Sequence, residues 1–393
     1  MCIRDRDWDA TAVQRLKKAG AIPFATTNVP ELGFWFETEN KIYGRTNNPY
    51  DFSRTPGGSS GGEGAILGAG GSPMGLGSDI GGSIRMPAFF CGIAGHKPTN
   101  RLVPLTGQFP YSREEIRELA GDRYPYTTIG PMAKYVRDLW PMLQIISGAD
   151  GIDPETRKDI SLGGENLELT RLKVLVLEDP IIHMTTRASQ ELREEVRKCA
   201  RLLEQFGAQV EELDRKIFLR SLECWTVALK QTKESHERFS DHLSPHEPLD
   251  YLRELKNLVL GNSHYTWPAF ITAVFDEFAL ENVRNGDEVL TEMEKIKKQL
   301  KFLLKGDTVV LMPPHPSIAP QHGAPLFRPF DFQYTGCWNW LGLPATAVPT
   351  GLNARGLPLG VQIAADHFRD ALCLRVAELI EQSFGGWTPP AHL

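Results

Sequence analysis

Apolar positions recur along this chain with two different periods, and the alternation between them predicts an α/β protein. Val13 and Leu16 share one face of a predicted helix that Asp9 would cap and Gly20 would stop. Ile22–Asn28 reads as a short strand and turn, and the polar stretch from Tyr43 to Pro56 as loop. Val136, Leu139, Leu143 and Ile146 lie at helical spacing within Lys134–Ile146, which stops at Gly148. Arg171–Asp179 has the continuous apolar run of a buried strand. Leu192, Val196, Cys199, Leu203 and Phe206 then share one helix face ended by Gly207, and Ala208–Leu213 is the next strand, which makes a β-α-β unit. Residues 216–305 are predominantly helical in pattern, and Asp307–Pro314 is a strand running into a Pro-rich loop. Near the end ATAVPT and LPLGVQIAA read as paired strands joined by GLNARG, and Asp370–Phe384 as a closing helix. The composition does not shift sharply anywhere, so one α/β domain is expected over residues 7–393.

Composition narrows the function classes. The 393 residues are 41% hydrophobic and 23% charged, an ordinary balance for a soluble globular protein with ample volume for a core. A net charge of −6 offers no electrostatic footprint for a nucleic-acid partner. The six cysteines are scattered without a CxxC, which fits reduced thiols in an intracellular setting. The histidines show no HExxH, and neither a metal site nor a cofactor is expected. No apolar run is long enough to span a bilayer. The opening hexamer MCIRDR lacks a secretory h-region and reads as translated sequencing-adapter DNA, so residues 1–6 are set aside and the natural protein is expected to extend further upstream.

The densest chemical signal is the glycine- and serine-rich stretch Gly57–Thr99. Glycine at that density is tolerated where backbone N–H groups must converge on one small volume, as in an oxyanion hole. In DIGGSIR, Ile80, Gly81, Gly82 and Ser83 can aim successive amides at one point, with Ser83 placed as a nucleophile. Taken alone, a GGS is more often a tightly packed turn. Ser59 and Ser60 in GGSSGG add a second pair of serines beside residues with no side chain. GGSSG also fits the G-x-S-x-G nucleophile elbow, with Ser59 or Ser60 attacking, but that motif needs a buried strand before it and NNPYDFSRTP is a poor one. No phosphate-binding pattern is present: GxGxxG and GxxxxGK[ST] are both absent.

GGSSGGEGA followed by GLGSDIGGSIRMPAFFCGIAGHKPT resembles the amidase signature family, with further similarity in GPMAKYVRDL, PPHPSIAP and the segment GLPATAVPTGLNARGLPLGVQIAA. Within it, KIYGRTNNPYD, PFDFQYTG and FGGW are most similar to the fatty-acid amide hydrolases of the second, membrane-anchored type. The resemblance covers essentially everything from Asp7 onward. It implies a single domain with a mixed central sheet covered by helices on both faces, lacking its N-terminal part. It implies Ser83 as the acyl-accepting nucleophile and Ser59 as a bridging serine after a cis Gly58–Ser59 peptide. Ile80–Ser83 become the oxyanion hole, and Ser60, Asp79 and Arg85 supporting residues. An ordinary surface ion pair explains Asp79 and Arg85 equally well on the residues alone.

In this family a neutral lysine is the final base. The resemblance implies that this lysine precedes the bridging serine by more residues than the 58 before Ser59 and that Lys97 sits in a structural KPT turn. Lys17, Lys18 and Lys41 lie in an amphipathic helix and a polar loop, so the catalytic lysine is expected upstream and this chain is expected to be inactive by itself. Phe34, Trp35 and Phe36 are expected to line an acyl pocket, although core packing explains three adjacent apolar residues as well. Leu258–Phe275, with Tyr265, Trp267, Phe270 and Phe275, reads first as buried helix packing and second as a membrane-facing entrance. The expected activity is hydrolysis of fatty-acid primary amides or N-acylethanolamides. The expected partners are a lipid amide substrate, a membrane and, as an option, a second copy of the chain. The alternatives are a general amidase, an A-type glutamine amidotransferase subunit or an inert pseudoenzyme.

Overall fold

The computed structural model describes residues 8–108, 113–118, 126–158, 168–232, 239–244, 247–278 and 286–392. The hexamer 1–6 lies outside the described residues. Ten strands are formed among the described residues: β1 Glu39–Asn40, β2 Gly44–Arg45, β3 Met74–Asp79, β4 Ala94–Lys97, β5 Thr128–Ala133, β6 Lys173–Val176, β7 Gln209–Glu212, β8 Thr308–Met312, β9 Ala345–Leu352 and β10 Pro358–Ala365. The first two make a small ribbon, and the rest form one sheet in the order β3-β5-β4-β9-β10-β8-β6-β7. Antiparallel pairing runs from β3 across to β8, while β8, β6 and β7 are parallel. The sheet is therefore mixed, and its parallel part contains the β-α-β unit expected from the periodicity.

The helices are α1 Thr11–Lys18, α2 Gly61–Gly68, α3 Arg85–Phe90, α4 Arg113–Glu118, α5 Val136–Ile146, α6 Gln190–Gln205 and α7 Ser221–Thr232. They continue with α8 Phe239–Leu243, α9 Tyr251–Val259, α10 Trp267–Phe278, α11 Gly286–Leu303, α12 Gln333–Trp340 and α13 Asp370–Phe384. Alternate residues of a strand face opposite sides. In β8, Val309 and Leu311 join α5, α6 and α13 in one core, while Val310 and Met312 join α7, α11 and α12 in another. Helices thus cover both faces of the sheet. In α6 the buried Leu192, Val196, Cys199 and Leu203 form the stripe read from the sequence except for Phe206, which lies past the helix end and is exposed, and Ser189 Oγ accepts the Leu192 amide at its start. Each such fully buried aliphatic side chain contributes about 1.5–3 kcal/mol.

Two local expectations fail. Asp9 does not cap α1: Ala10 occupies that position, and the Asp9 carboxylate instead pairs with Lys17 Nζ at 2.7 Å. Ile22–Asn28 forms no strand. Ile22 is 86% exposed, and the segment is held at its far end, where Asn28 O accepts the Gly62 amide of α2. A strand needs a partner edge as well as an apolar run, and this run has none.

Candidate active site

The Gly57–Thr99 stretch contains α2, β3, α3 and β4 around two tight loops, far more regular structure than glycine turns suggested. The Gly58–Ser59 peptide is cis. Gly58 is required by crowding, because a Cβ there would lie 2.5 Å from the Trp35 carbonyl oxygen. The serine loop thus lies directly on the backbone of the aromatic segment. Ser59 is buried, and the Ser60 amide donates to Ser83 O at 3.2 Å, which joins the two loops. Ser60 Oγ lies 3.4 Å from Ser78 O and 3.3 Å from Ser78 N, bracing the loop against the end of β3.

The turn after β3 has its carbonyls tied down one by one. Asn339 Nδ2 donates to Asp79 O at 3.0 Å, Trp225 Nε1 to Ile80 O at 2.9 Å and Thr335 Oγ1 to Gly81 O at 2.7 Å. The Met86 amide donates to Gly82 O at 2.8 Å. A trans peptide is planar with its C=O and N–H pointing oppositely, so anchoring each carbonyl also aims the next amide. Among the described residues the amides of Ile80, Gly81 and Ser83 have no hydrogen-bond partner, whereas the Gly82 amide donates to Asp79 Oδ1 at 2.7 Å. Gly82 adopts φ +126°, and a Cβ there would overlap Thr335.

Asp79 and Arg85 form a buried pair, not a surface one. Both side chains are fully buried, 2.9 Å apart. The carboxylate also accepts the Ile84 amide at 3.1 Å and Asn339 Nδ2 at 2.9 Å, and the guanidinium donates on to Thr335 O, Asn339 Oδ1 and Gln362 Oε1. Burial by itself pushes the Asp79 carboxyl up, but Arg85, then Lys97 and Asn339, outweigh it and hold it at about 2. The pair carries the turn Ile80–Ser83 on one side and α12 on the other.

Ser83, Ile80 and Gly81 open on an apolar cavity that Phe34, Trp35 and Phe36 line together with Trp225, Phe275 and Phe332. Trp35 stacks on Phe36 with ring centroids 5.0 Å apart. Gly82 is not among the lining residues, in keeping with its amide being turned to Asp79. The Leu258–Phe275 stretch divides between its two readings. Leu258 and Phe270 are buried, and Phe275 lines the cavity, but Val259, Leu260 and Trp267 are exposed.

None of the described lysines bonds either serine. Lys17 pairs with Asp9, and Lys18 and Lys41 are exposed. Lys97 is fully buried, and burial together with Arg85 pushes its ammonium down to about 7 against the pull of Asp79 and Asp370. Its Nζ donates to Pro98 O at 2.8 Å. The nucleophile elbow gains nothing from the fold. Residues 46–58 form isolated bridges and turns, so no strand leads into Ser59. The sequence reading had no grounds for choosing Trp225, Thr335, Asn339 or Gln362. Trp225 and Asn339 carry no local motif, Thr335 and Gln362 fall inside PFDFQYTG and LPLGVQIAA without any sign there of what they meet, and the crossing of α7 and α12 brings Trp225, Thr335 and Asn339 to the turn.

Residues 4–374 match the amidase family. Human fatty-acid amide hydrolase 2 is 43% identical over 390 residues, covering 97% of this chain and 70% of that protein. The A-type subunit of glutamyl-tRNA(Gln) amidotransferase from Picosynechococcus sp. is 31% identical, covering 96% of this chain and 78% of that one. The crystal structure of the corresponding Thermotoga maritima protein superposes with a TM-score of 0.74 at 28% identity, covering 98% of this chain and 79% of that structure. A match of this extent on a mixed sheet clothed by helices leads to one conclusion: the chain belongs to the amidase signature family of carbon–nitrogen hydrolases.

Proposed function

We propose that this chain carries the nucleophile, Ser83, and the proton relay, Ser59, of a serine amidase that acts on long-chain fatty-acid amides when its general base is present. The observation that carries this reading is the placement of Ser83 and the two partnerless amides of Ile80 and Gly81 at the wall of an apolar, aromatic cavity. Ser83 Oγ attacks the amide carbonyl while its proton passes to Ser59, and Ser59 gives up its own proton to a base that we place outside the described residues. The carbonyl π electrons move onto oxygen, where the turn amides stabilise the charge. Collapse of the adduct breaks the C–N bond, and the leaving amine takes a proton back through Ser59. Water then attacks the Ser83 ester, releasing the fatty acid and restoring the serine hydroxyl.

The cavity wall argues for an alkyl chain. Each methylene buried is worth about 0.8 kcal/mol, or roughly a fourfold gain in kcat/KM while the chain still finds wall to cover. A series of primary amides of increasing acyl length, assayed beside glutamine, tests this. The expected outcome is a steep rise with length and negligible turnover of glutamine. A preference for glutamine would favour an amidotransferase-like role, which the 31% identity to the Picosynechococcus protein makes the natural second reading. Indifference to length would favour a general amidase.

We also place the cavity mouth against a membrane. Among the described residues no helix is long and apolar enough to cross a bilayer. In α9, Leu252, Leu255 and Val259 fall on one helical face and are exposed, Leu252 by 82% and Val259 by 70%. Leu260 and Trp267 extend that apolar surface toward α10, whose Ile271, Thr272 and Phe275 line the cavity. A lipid substrate leaving a bilayer would meet this face first. Replacing Leu252 and Val259 with Asp is expected to reduce co-sedimentation with phosphatidylcholine vesicles at least about tenfold, given roughly 1.5–3 kcal/mol per buried aliphatic side chain. Unchanged vesicle binding would reject the assignment.

A further inference from the structure

Trp225 lies on α7, more than a hundred residues from the serine motifs, and makes two kinds of contact at once. Its indole N–H donates to Ile80 O at 2.9 Å, and its ring meets Phe332 edge-on, with centroids 4.9 Å apart, in the cavity wall. The helix that presents it is fastened to α12: Ser221 Oγ donates to Gln333 Oε1 at 2.9 Å, and Trp340 Nε1 donates to Ser221 Oγ at 3.1 Å. The same α12 supplies Thr335 and Asn339 to the neighbouring carbonyls of the turn. The indole therefore sits on a rigid mount and has little freedom to release its acceptor.

We propose that Trp225 is a positioning residue for the oxyanion hole: by holding the Ile80 carbonyl it turns the Gly81 amide away from the indole and toward the oxygen of the carbonyl that Ser83 attacks. The Ile80–Gly81 peptide is the one plane of the turn whose carbonyl is held by a side chain of the cavity wall and whose amide, among the described residues, is left without a partner. Gly81 itself is crowded by Phe332, where a Cβ would lie 3.0 Å from the ring, so the peptide can pack closely against the wall. Without the indole N–H, that plane loses the bond that sets its rotation. The amide then costs reorganisation at the moment charge develops on the substrate oxygen. The proposal rests on the reading of Ser83 as nucleophile.

The test uses alkyl trifluoromethyl ketones, to which Ser83 Oγ adds to form a hemiketal whose oxygen mimics the oxyanion, with fatty alcohols of the same length as ground-state ligands. Trp225→Phe, which also removes ring area from the cavity wall, is expected to weaken the ketones about tenfold more than the fatty alcohols, by a ratio that is the same for short and long chains. The shape-preserving analogue 3-benzothienylalanine at position 225, which lacks only the N–H, should give the same loss. Fatty-alcohol affinity, expected to change little in the benzothienyl variant, reports the state of the cavity wall, and the ketone-to-alcohol ratio isolates the N–H. A loss that grows with chain length and is shared by the alcohols would make Trp225 a pocket wall only and overturn the proposal. So would full ketone affinity in the benzothienyl variant. Ser83→Ala is measured alongside: if it leaves ketone binding unchanged, the nucleophile assignment itself has failed, a result distinct from any effect at Trp225.

Discussion

In the protein that contains its general base, Ser83→Ala is expected to abolish covalent labelling by a fluorophosphonate and to lower amide hydrolysis roughly 10⁴-fold or more, while Ser59→Ala slows labelling without eliminating it. The asymmetry follows from position. Ser83 lines the apolar cavity beside the amides of Ile80 and Gly81, which have no partner among the described residues, whereas Ser59 is buried and is not among the cavity-lining residues. Removing the nucleophile leaves no atom to take the phosphorus, and no neighbouring group can replace it. Removing the relay leaves the nucleophile and the hole in place and takes away only assistance with the proton. That assistance is typically worth about 10²–10⁴-fold. Mass spectrometry of the labelled protein identifies the modified serine. Labelling that persists in Ser83→Ala and vanishes in Ser59→Ala would reverse the two roles and revive the nucleophile elbow.

Asp79→Ala should destabilise the fold by about 3–5 kcal/mol, a large share of the roughly 5–15 kcal/mol by which a domain is stable. The reason is what the substitution leaves behind. Arg85 is fully buried and would face its remaining neutral partners, Thr335 O, Gln362 Oε1 and Asn339 Oδ1, without a counter-charge. The Gly82 and Ile84 amides would lose their acceptor as well. Removing both charges in Asp79→Ala/Arg85→Met should cost less than the sum of the single changes, because no unpaired ion remains. Urea denaturation of the single and double variants measures this. A loss under about 1 kcal/mol for Asp79→Ala would show that the pair does not support the turn.

The same carboxylate sets an acid limit. Its folded pKa of about 2 lies below the ordinary 3.8, so the unfolded chain binds the proton more readily and the pair stabilises the fold above that unfolded value. This contribution is lost as pH falls from about 4 through about 2. Denaturation midpoints of the parent chain should decline over that window more steeply than those of the double variant.

Much of the architecture was legible because its signals are local. The stripe of α6, the paired strands β9 and β10 and the helix α13 each follow from a repeat within a window of a few turns, where burial on one side dictates the pattern. The failures are instructive for the same reason. Ile22–Asn28 has the apolar content of a strand, but pairing is decided by whether another edge lies alongside, and among the described residues none pairs with it. The aromatic run Phe34–Phe36 and the serines at 59 and 83 could be named from the sequence, yet not brought together. Contact between Gly58 and the Trp35 backbone does that.

By itself the sequence determined the family and the candidates for the chemistry: a serine after two glycines, a second serine pair and a family pattern that extends nearly the whole chain. Only the tertiary structure decided how those groups are held. Asp79 and Arg85 could have been a solvated surface pair, and their function depends on complete burial, which is a property of the packed sheet and α12. Lys97 looked like part of a turn, and burial with Arg85 nearby makes its ammonium weakly basic without placing it at a serine. Trp225, Thr335 and Asn339 reach the turn because α7 and α12 cross there. A backbone amide has no side chain to mark it in a sequence, and its direction is set by whatever holds the opposite carbonyl.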